Sequence, residues 1–293
     1  YLGLSLLLFS SFFGMGQTVT LSLDNSTIAE NGTATITATL NASHSGETVI
    51  SFAPTGSAVY DGDYTVNYTG KGTVTTVAGG NGAGSASNQL NSVRNVILDG
   101  SGNFIIGDNG NNRVQKWVPG ASSGTTIAGG NGVGGGSNTM YGPYGLVFDG
   151  SYNLYVSAGS SSRYHNIQKW NAGANSHTVI AGIAGNGGSA ANQLLNPTGI
   201  LLDGSGNLYV SDQANSRIQK FPSSSTSGTN AITVAGGNGL GSNANQLRYP
   251  SDILLDGSGN LYVSDGNNHR IQKFPLNSTS STNAITVAGG NGQ

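Results

Sequence analysis

The sequence predicts an all-β protein in which one four-stranded unit occurs four times. The first observation is a repeated phrase, which in the last two copies is Asp-Gly-Ser-Gly-Asn-Leu-Tyr-Val-Ser-Asp, followed after a short loop by Arg-Ile-Gln-Lys-Phe, and which occurs with substitutions in the first two. Its copies begin, at intervals of 50, 54 and 53 residues, at Asp99, Asp149, Asp203 and Asp256. The second observation is composition: 48 of 293 residues are glycine and only 8% are charged, which favours short strands and tight turns over helices. A period of this length indicates a repeat architecture.

The third copy shows how each unit divides into strands. Apolar runs alternate with Gly-, Asn- and Pro-rich breaks, and Asp-Gly and Gly pairs reach the positive φ of a hairpin turn at little cost. The predicted strands of this copy are 199–202, 207–211, 217–221 and 231–234. Four antiparallel strands in about 50 residues are typical of a β-propeller blade.

The fourth copy carries a family resemblance. The run Ile253-Leu254-Leu255-Asp256-Gly257-Ser258-Gly259-Asn260-Leu261-Tyr262-Val263-Ser264-Asp265, continued through Arg270-Ile271-Gln272-Lys273-Phe274, resembles an NHL repeat. The resemblance covers residues 71–293 and implies an NHL-type β-propeller. Such propellers usually close with six blades, so we expect the four blades here to be a truncated ring; a closed four-bladed ring is the alternative.

The residues before the repeats fall into two predicted segments. Residues 2–13 form an apolar run followed by Gly14-Met15-Gly16, which is typical of a secretory signal peptide over residues 1–16, although a charged n-region is absent. We therefore expect a secreted or cell-surface protein without a membrane span in the mature chain; a buried strand or helix is the alternative for this run.

Residues 17–70 alternate apolar and polar side chains, as in Val19–Leu23 and Ala34–Leu40, which predicts half-buried strands. The motifs Ile28-Ala29-Glu30-Asn31-Gly32 and Asp61-Gly62-Asp63 resemble part of a Calx-beta domain. That resemblance implies that Glu30 and Asp63 contribute to a weak or incomplete calcium site, with an ordinary edge loop as the alternative; we expect no other cofactor.

Charged residues recur at fixed positions of the repeat, and we interpret them as structural. The pairs Asp108/Arg113, Asp212/Arg217 and Asp265/Arg270 hold the same place in three blades. We therefore expect structural pairs at the ends of the second and third strands, where arginine can make a bidentate contact with the carboxylate; a ring of charges around a ligand is the alternative. The Asp-Gly-Ser-Gly-Asn phrase has oxygens at alternating positions like a calcium loop, but a bidentate glutamate does not follow, so we interpret it as a hairpin turn. The second copy departs from the pattern, with Ala158 in place of aspartate, Asn166 in place of arginine and a longer loop between them.

We expect the ligand-binding residues to lie where the copies differ, because binding residues commonly lie on loops that a rigid scaffold positions. The loops between the second and third strands supply the candidate ligand-binding residues, with Tyr164 and His165 as aromatic anchors. The full set is Asn111, Asn112, Tyr164, His165, Asn215, Ser216, Asn268 and His269. We expect a non-catalytic recognition scaffold that binds a protein or a carbohydrate.

Two alternatives stay open: a secreted propeller lyase or hydrolase with a metal ion on its axis, and a structural adhesin module. The metal alternative requires convergence of ligands, yet the four histidines, His44, His165, His177 and His269, do not recur at one blade position. The net charge of −2 and the absence of a basic patch argue against a nucleic-acid partner. Without cysteine the chain has no disulfides and no thiol nucleophile.

Overall fold

The computed structural model describes residues 75–133, 136–159 and 164–290, together with the backbone of four strands before them. The chain divides into two compact units, Tyr1–Thr73 and Val74–Gln293. In the first unit, β1 pairs with β4 and β2 pairs with β3, both antiparallel. Their bounds are β1 Gly3–Leu7, β2 Val19–Leu23, β3 Ile36–Leu40 and β4 Ser51–Thr55.

The strands predicted from alternation at Val19–Leu23 and within 34–40 are thus confirmed. The Calx-beta resemblance finds no support, and Glu30 and Asp63 lie outside the described residues. The predicted signal peptide also lies outside them, apart from the backbone of β1, and stays a prediction.

The described residues of the second unit form four antiparallel sheets, each with its strands in chain order from the inside outward, and these are the four blades of a β-propeller. Blade one contains β5 Val93–Leu98, β6 Phe104–Asp108, β7 Arg113–Trp117 and β8 Thr125–Gly129. Blade two contains β9 Pro143–Phe148, β10 Leu154–Ala158, β11 Asn166–Trp170 and β12 His177–Gly182. Blade three contains β13 Pro197–Leu202, β14 Leu208–Asp212, β15 Arg217–Phe221 and β16 Ile232–Gly236. Blade four contains β17 Pro250–Leu255, β18 Leu261–Asp265, β19 Arg270–Phe274 and β20 Ile285–Gly289.

The predicted strands of blade three agree with this division, but the predicted loop after the second strand is more ordered than expected. It forms one 3₁₀ turn at Gln213–Asn215, and the same turn occurs at Asn109–Asn111 and Gly266–Asn268. Each turn ends on a residue in the left-handed conformation, such as Ser216 at φ +52°. This residue reverses the chain into the third strand.

Each blade packs on the next through apolar side chains on both of its faces. We call the side facing the following blade the front face and the side facing the preceding blade the back face. Between blades three and four, Tyr209 and Ile218 of the front face pack with Ile253 and Phe274 of the back face. Equivalent clusters join blades one and two and blades two and three. This explains why strands such as Leu-Tyr-Val are apolar on both sides.

Among the described residues, no core cluster joins blade four to blade one. On the back face of blade one, Val96 is 57% exposed, whereas Leu146, at the same position in blade two, is 4% exposed. On the front face of blade four, Leu254 is 65% exposed, whereas Leu201 of blade three is partly buried against the next blade. The four blades therefore form an open arc.

Candidate functional site

The Asp-Gly-Ser-Gly-Asn phrase forms a hairpin turn, and the carboxylate of its aspartate accepts several hydrogen bonds from groups of the protein. Oδ1 of Asp99 accepts the backbone N–H groups of Ser101 and Asn103, both at 2.9 Å. The Asn103 amide donates to the same carboxylate, and Nζ of Lys116 lies 2.9 Å from Oδ2. The Asn103 amide and Lys116 hold the pKa of Asp99 well below its usual range. The alternating oxygens of this phrase are thus explained by the turn.

The Asp/Arg pairs form what we call the clamp, which fastens each linking segment to its blade. In blade three, Nε of Arg217 donates to Oδ2 of Asp212 at 2.7 Å, while Nη1 and Nη2 donate to the backbone carbonyls of Ser189, Ala190 and Gln193. Oδ1 of Asp212 accepts the N–H of Leu195. The structural pairing predicted for these residues is thus present, but the contact with the carboxylate is not bidentate, because the carbonyl groups of the link accept the other N–H groups of the guanidinium.

Three of the predicted ligand-binding residues belong to these clamps. The Nδ2 group of Asn111 donates to the Asp108 carboxylate at 2.8 Å and to the carbonyl of Gly84 at 2.8 Å. Asn215 and Asn268 make the same pair of contacts in blades three and four. Their recurrence therefore reflects the architecture of the blade.

A second set of predicted residues lies at the position that joins one blade to the next, which we call the connector position. Oδ1 of Asn112 accepts the N–H of Gly142, Nδ1 of His165 accepts that of Asn196, and Oγ of Ser216 accepts that of Tyr249 at 3.5 Å. Each donor residue, Gly142, Asn196 or Tyr249, has positive φ and immediately precedes the first strand of the next blade.

Asn, His and Ser share little except a side-chain acceptor, so the connector position could not be recognised from residue identity. His269 occupies it in blade four with φ +53°. His165 is 4% exposed, and burial lowers its pKa.

Blade two lacks the clamp, since Ala158 and Asn166 stand in place of aspartate and arginine. Its longer segment instead presents Tyr164, whose ring stacks on Tyr141 with centroids 5.5 Å apart and planes inclined by 3°. Both rings are half-buried. Tyr164 is therefore the predicted anchor that the structure places at an accessible surface, whereas its neighbour His165 is enclosed.

A second contact lies at the same end of the blades. The guanidinium of Arg94 in β5 lies 5.1 Å from the ring centroid of Tyr144 in β9, which is a cation–π contact between blades one and two. Register places Pro143 opposite Ala158, so Tyr141, Tyr144 and Tyr164 share one end of blade two. We call Arg94, Tyr141, Tyr144 and Tyr164 the aromatic–cationic cluster.

Three of these four residues were not predicted from the sequence, because they lie outside the variable loops between the second and third strands. One signal was available: the second position of the first strand differs in every blade, being Arg94, Tyr144, Thr198 and Ser251.

Within the described residues, His165, His177 and His269 belong to no group of side chains suited to a metal ion. His44 lies outside the described residues, and residues 75–290, where described, hold no group of three side chains suited to a metal ion. Burial lowers the pKa of His177, against the opposing effect of its backbone contact with Ser137. The same part of the chain contains no helix of the length and apolarity needed to cross a membrane.

Comparison with known proteins supports the repeat and the fold. The family model of the NHL repeat matches residues 247–274. No curated protein sequence matches the chain significantly. The chain carries an NHL repeat and folds as a four-bladed β-propeller arc.

Solved structures of low sequence identity share the architecture. A protein of unknown function from Bacteroides thetaiotaomicron is 21% identical with a TM-score of 0.50, over 63% of this chain and 48% of that one. A gluconolactonase from Xanthomonas campestris is 12% identical with a TM-score of 0.51, over 70% and 65%. A streptogramin B lyase is 18% identical with a TM-score of 0.44, over 67% and 54%. The chain spans about half to two thirds of the length of these proteins. The likeness to the first two concerns the fold alone.

Proposed function

We propose that this protein is a recognition scaffold and that the aromatic–cationic cluster binds a carbohydrate. The observation that carries the proposal is that two contacts, the stacked rings of Tyr141 and Tyr164 and the cation–π pair of Arg94 and Tyr144, lie at the same end of the blades. Tyrosine rings offer a broad apolar face with a hydroxyl at one edge, and the guanidinium offers several donors in a plane. Together they suit a sugar ring, which has an apolar face and a rim of hydroxyl groups.

The cluster is mounted on fixed backbone. Tyr141 precedes Gly142, whose N–H is held by the connector residue of blade one, and Tyr164 precedes the buried His165. Tyr141 and Tyr144 are three residues apart, so their Cα atoms lie within about 11 Å. Groups that are already ordered before binding lose less conformational entropy on complex formation, which favours affinity.

Secretion or display at the cell surface is part of the proposal. It is supported by the apolar run at residues 2–13 and would give the cluster access to extracellular glycans. We also propose that binding needs no metal ion, because the carboxylates of the turns and clamps are occupied by protein donors. Metal analysis and binding with and without a chelator test this part.

The experiment is a glycan array probed with the labelled full chain, followed by calorimetric titration of the best oligosaccharide. Tyr164→Ala and Tyr141→Ala are each expected to weaken binding at least tenfold, since central aromatic anchors commonly contribute more than about 1.4 kcal/mol. Tyr152→Asn is the matched control, because Tyr152 is a 56% exposed tyrosine in the hairpin turn at the opposite end of blade two.

Equal affinity of the two cluster variants and wild type would contradict the site. An array without any bound glycan would contradict the carbohydrate and leave a protein partner as the ligand class to be sought at the same residues.

A further inference from the structure

The residue that immediately precedes the first strand has a left-handed backbone in all four blades. It is Ser92, Gly142, Asn196 and Tyr249 in chain order, and its φ lies between +49° and +52°. Glycine and asparagine adopt this conformation readily, whereas a bulky tyrosine does so only against a steric penalty. Residues held in disfavoured backbone conformations cluster at functional sites. The architecture of the blade therefore explains the conformation at this position but not the choice of tyrosine in blade four.

Three hydrogen bonds fix the backbone of Tyr249 and of its neighbour Arg248. The N–H of Tyr249 donates to Oγ of Ser216 at 3.5 Å, at the junction of blades three and four. The N–H of Arg248 donates to Oδ1 of Asp265 at 2.6 Å, and the carbonyl of Arg248 accepts the N–H of Asn267 at 3.1 Å. These bonds use only main-chain groups of Arg248 and Tyr249, so both side chains stand on ordered backbone and keep their own polar groups for other contacts.

Both side chains are exposed, Tyr249 to 40%. Within the part of the chain that the structure describes, neither makes a hydrogen bond, an ion pair or a ring contact. Seven lysine and arginine side chains of this part pair with aspartates, but Arg248 does not. The nearby Asp265 is paired with Arg270, and the carboxylate of Asp252 accepts a main-chain N–H. The guanidinium of Arg248 therefore carries a charge that the fold does not use.

The pair lies at the same end of the blades as the aromatic–cationic cluster. Register places Pro250 opposite Asp265 in blade four, as it places Pro143 opposite Ala158 in blade two. Arg248 also holds the position, two residues before the first strand, that Tyr141 of the cluster holds in blade two.

We propose that Arg248 and Tyr249 form a second subsite, which binds an anionic sugar residue bearing a carboxylate or a sulfate. The proposal rests on the proposed function, because it takes the ligand to be a glycan. A guanidinium matches an oxyanion with two parallel N–H groups, and the adjacent tyrosine offers an apolar face and a hydroxyl to the sugar ring. A neutral sugar would leave the guanidinium without a counter-charge, so the subsite favours acidic glycans.

The test is calorimetric titration of the full chain with neutral, carboxylated and sulfated forms of one oligosaccharide identified on the array. Wild type is expected to bind at least one acidic form about tenfold more tightly than the neutral form. Arg248→Gln should abolish this preference and leave the affinity for the neutral form unchanged. Comparison of the carboxylated and sulfated forms identifies which oxyanion the subsite takes.

Lys273→Gln is the matched control, because it also removes one positive charge but lies at the hairpin-turn end of blade four, where Nζ of Lys273 is 3.8 Å from Oδ2 of Asp256. It should leave the preference for the acidic form unchanged.

Tyr249→Asn separates a role in binding from a role in folding. It copies Asn196 of blade three, so it should raise the midpoint of urea unfolding, because asparagine tolerates the left-handed backbone better than tyrosine does. The same variant should weaken binding of the acidic form about tenfold. A tyrosine that only supports the fold would show a lowered midpoint and unchanged affinity.

Equal affinity of wild type for the acidic and neutral forms would overturn the subsite. Retention of the acidic preference in Arg248→Gln, or unchanged affinity in Tyr249→Asn, would overturn it as well. These results leave the loss of binding in Tyr164→Ala, and with it the aromatic–cationic cluster, untouched. An array without any bound glycan would overturn both proposals, so the two failures are distinguishable.

Discussion

Replacing Arg217 with asparagine removes the cation of the clamp in blade three and leaves the Asp212 carboxylate buried. The side chain of Arg217 makes four hydrogen bonds, one to Asp212 and three to backbone carbonyls of the link, and Asp212 is fully buried. Removal of one partner from a buried ion pair commonly costs about 3–5 kcal/mol, because the remaining charge loses its compensation. We expect Arg217→Asn to lower the free energy of unfolding by about this amount.

The double variant Asp212→Ala/Arg217→Asn tests whether the cost of Arg217→Asn comes from the uncompensated charge of Asp212. It installs in blade three the residues that blade two carries naturally as Ala158 and Asn166. Because no buried charge is then left alone, its cost should be about 2 kcal/mol less than the sum of the two single variants.

Urea unfolding followed by fluorescence of Trp117 and Trp170, and in parallel by circular dichroism, gives these free energies. Arg248→Ala is the control, since the Arg248 side chain is exposed and its loss should change stability by less than about 0.5 kcal/mol. A cost below about 1 kcal/mol for Arg217→Asn, or strict additivity in the double variant, would refute the reasoning.

Burial lowers the pKa of His165 in the folded protein. As the pH falls below about 6.5, the unfolded chain therefore binds a proton first, and the free energy of unfolding declines until the pH reaches the folded-state pKa. The variant His165→Asn, which copies Asn112 of blade one, should reduce this decline in denaturation series between neutral and mildly acidic pH. Gly145→Ala should cost about 1–3 kcal/mol in urea unfolding, because a Cβ there would press on the backbone of β13, whereas Gly204→Ala, with open space around it, should be nearly neutral. The pKa of Asp99 lies below its usual range, so this carboxylate stabilises the fold at neutral pH and the contribution is lost in acid; NMR titration of the carboxyl should show the lowered pKa, and an ordinary value would contradict the turn geometry.

The blade was predictable from sequence because its signals are local. Each repeat of about 50 residues contains its own apolar strands and its own Asp-Gly turn. The four copies therefore give the same prediction independently. The ends of strands were predicted less accurately. The outer strand predicted at 231–234 runs from Ile232 to Gly236, because pairing with β15 extends it past the apolar run.

The site was predictable only in part, because its residues meet across blades. The variable loops directed the prediction to Tyr164, which is half-buried, but the side chains of Asn111, Asn215 and His165 make hydrogen bonds with backbone groups of linking segments 27 to 31 residues away. Local sequence gives no sign of such distant acceptors and donors.

Arg94 and Tyr144 were missed for the same reason. They lie 50 residues apart and become neighbours only when blade one packs on blade two.

The central claim separates two sets of residues: the recurring charges hold the propeller together, and the aromatic–cationic cluster recognises the ligand. The most direct test is the affinity and the unfolding free energy of Tyr164→Ala and Arg217→Asn, measured with one oligosaccharide identified on the array and at a temperature where both variants stay folded. We predict that Tyr164→Ala loses at least tenfold in affinity with little change in stability, and that Arg217→Asn loses about 3–5 kcal/mol in stability with unchanged affinity. The opposite pattern, with binding lost on removal of the clamp and retained on removal of the ring, would contradict the account.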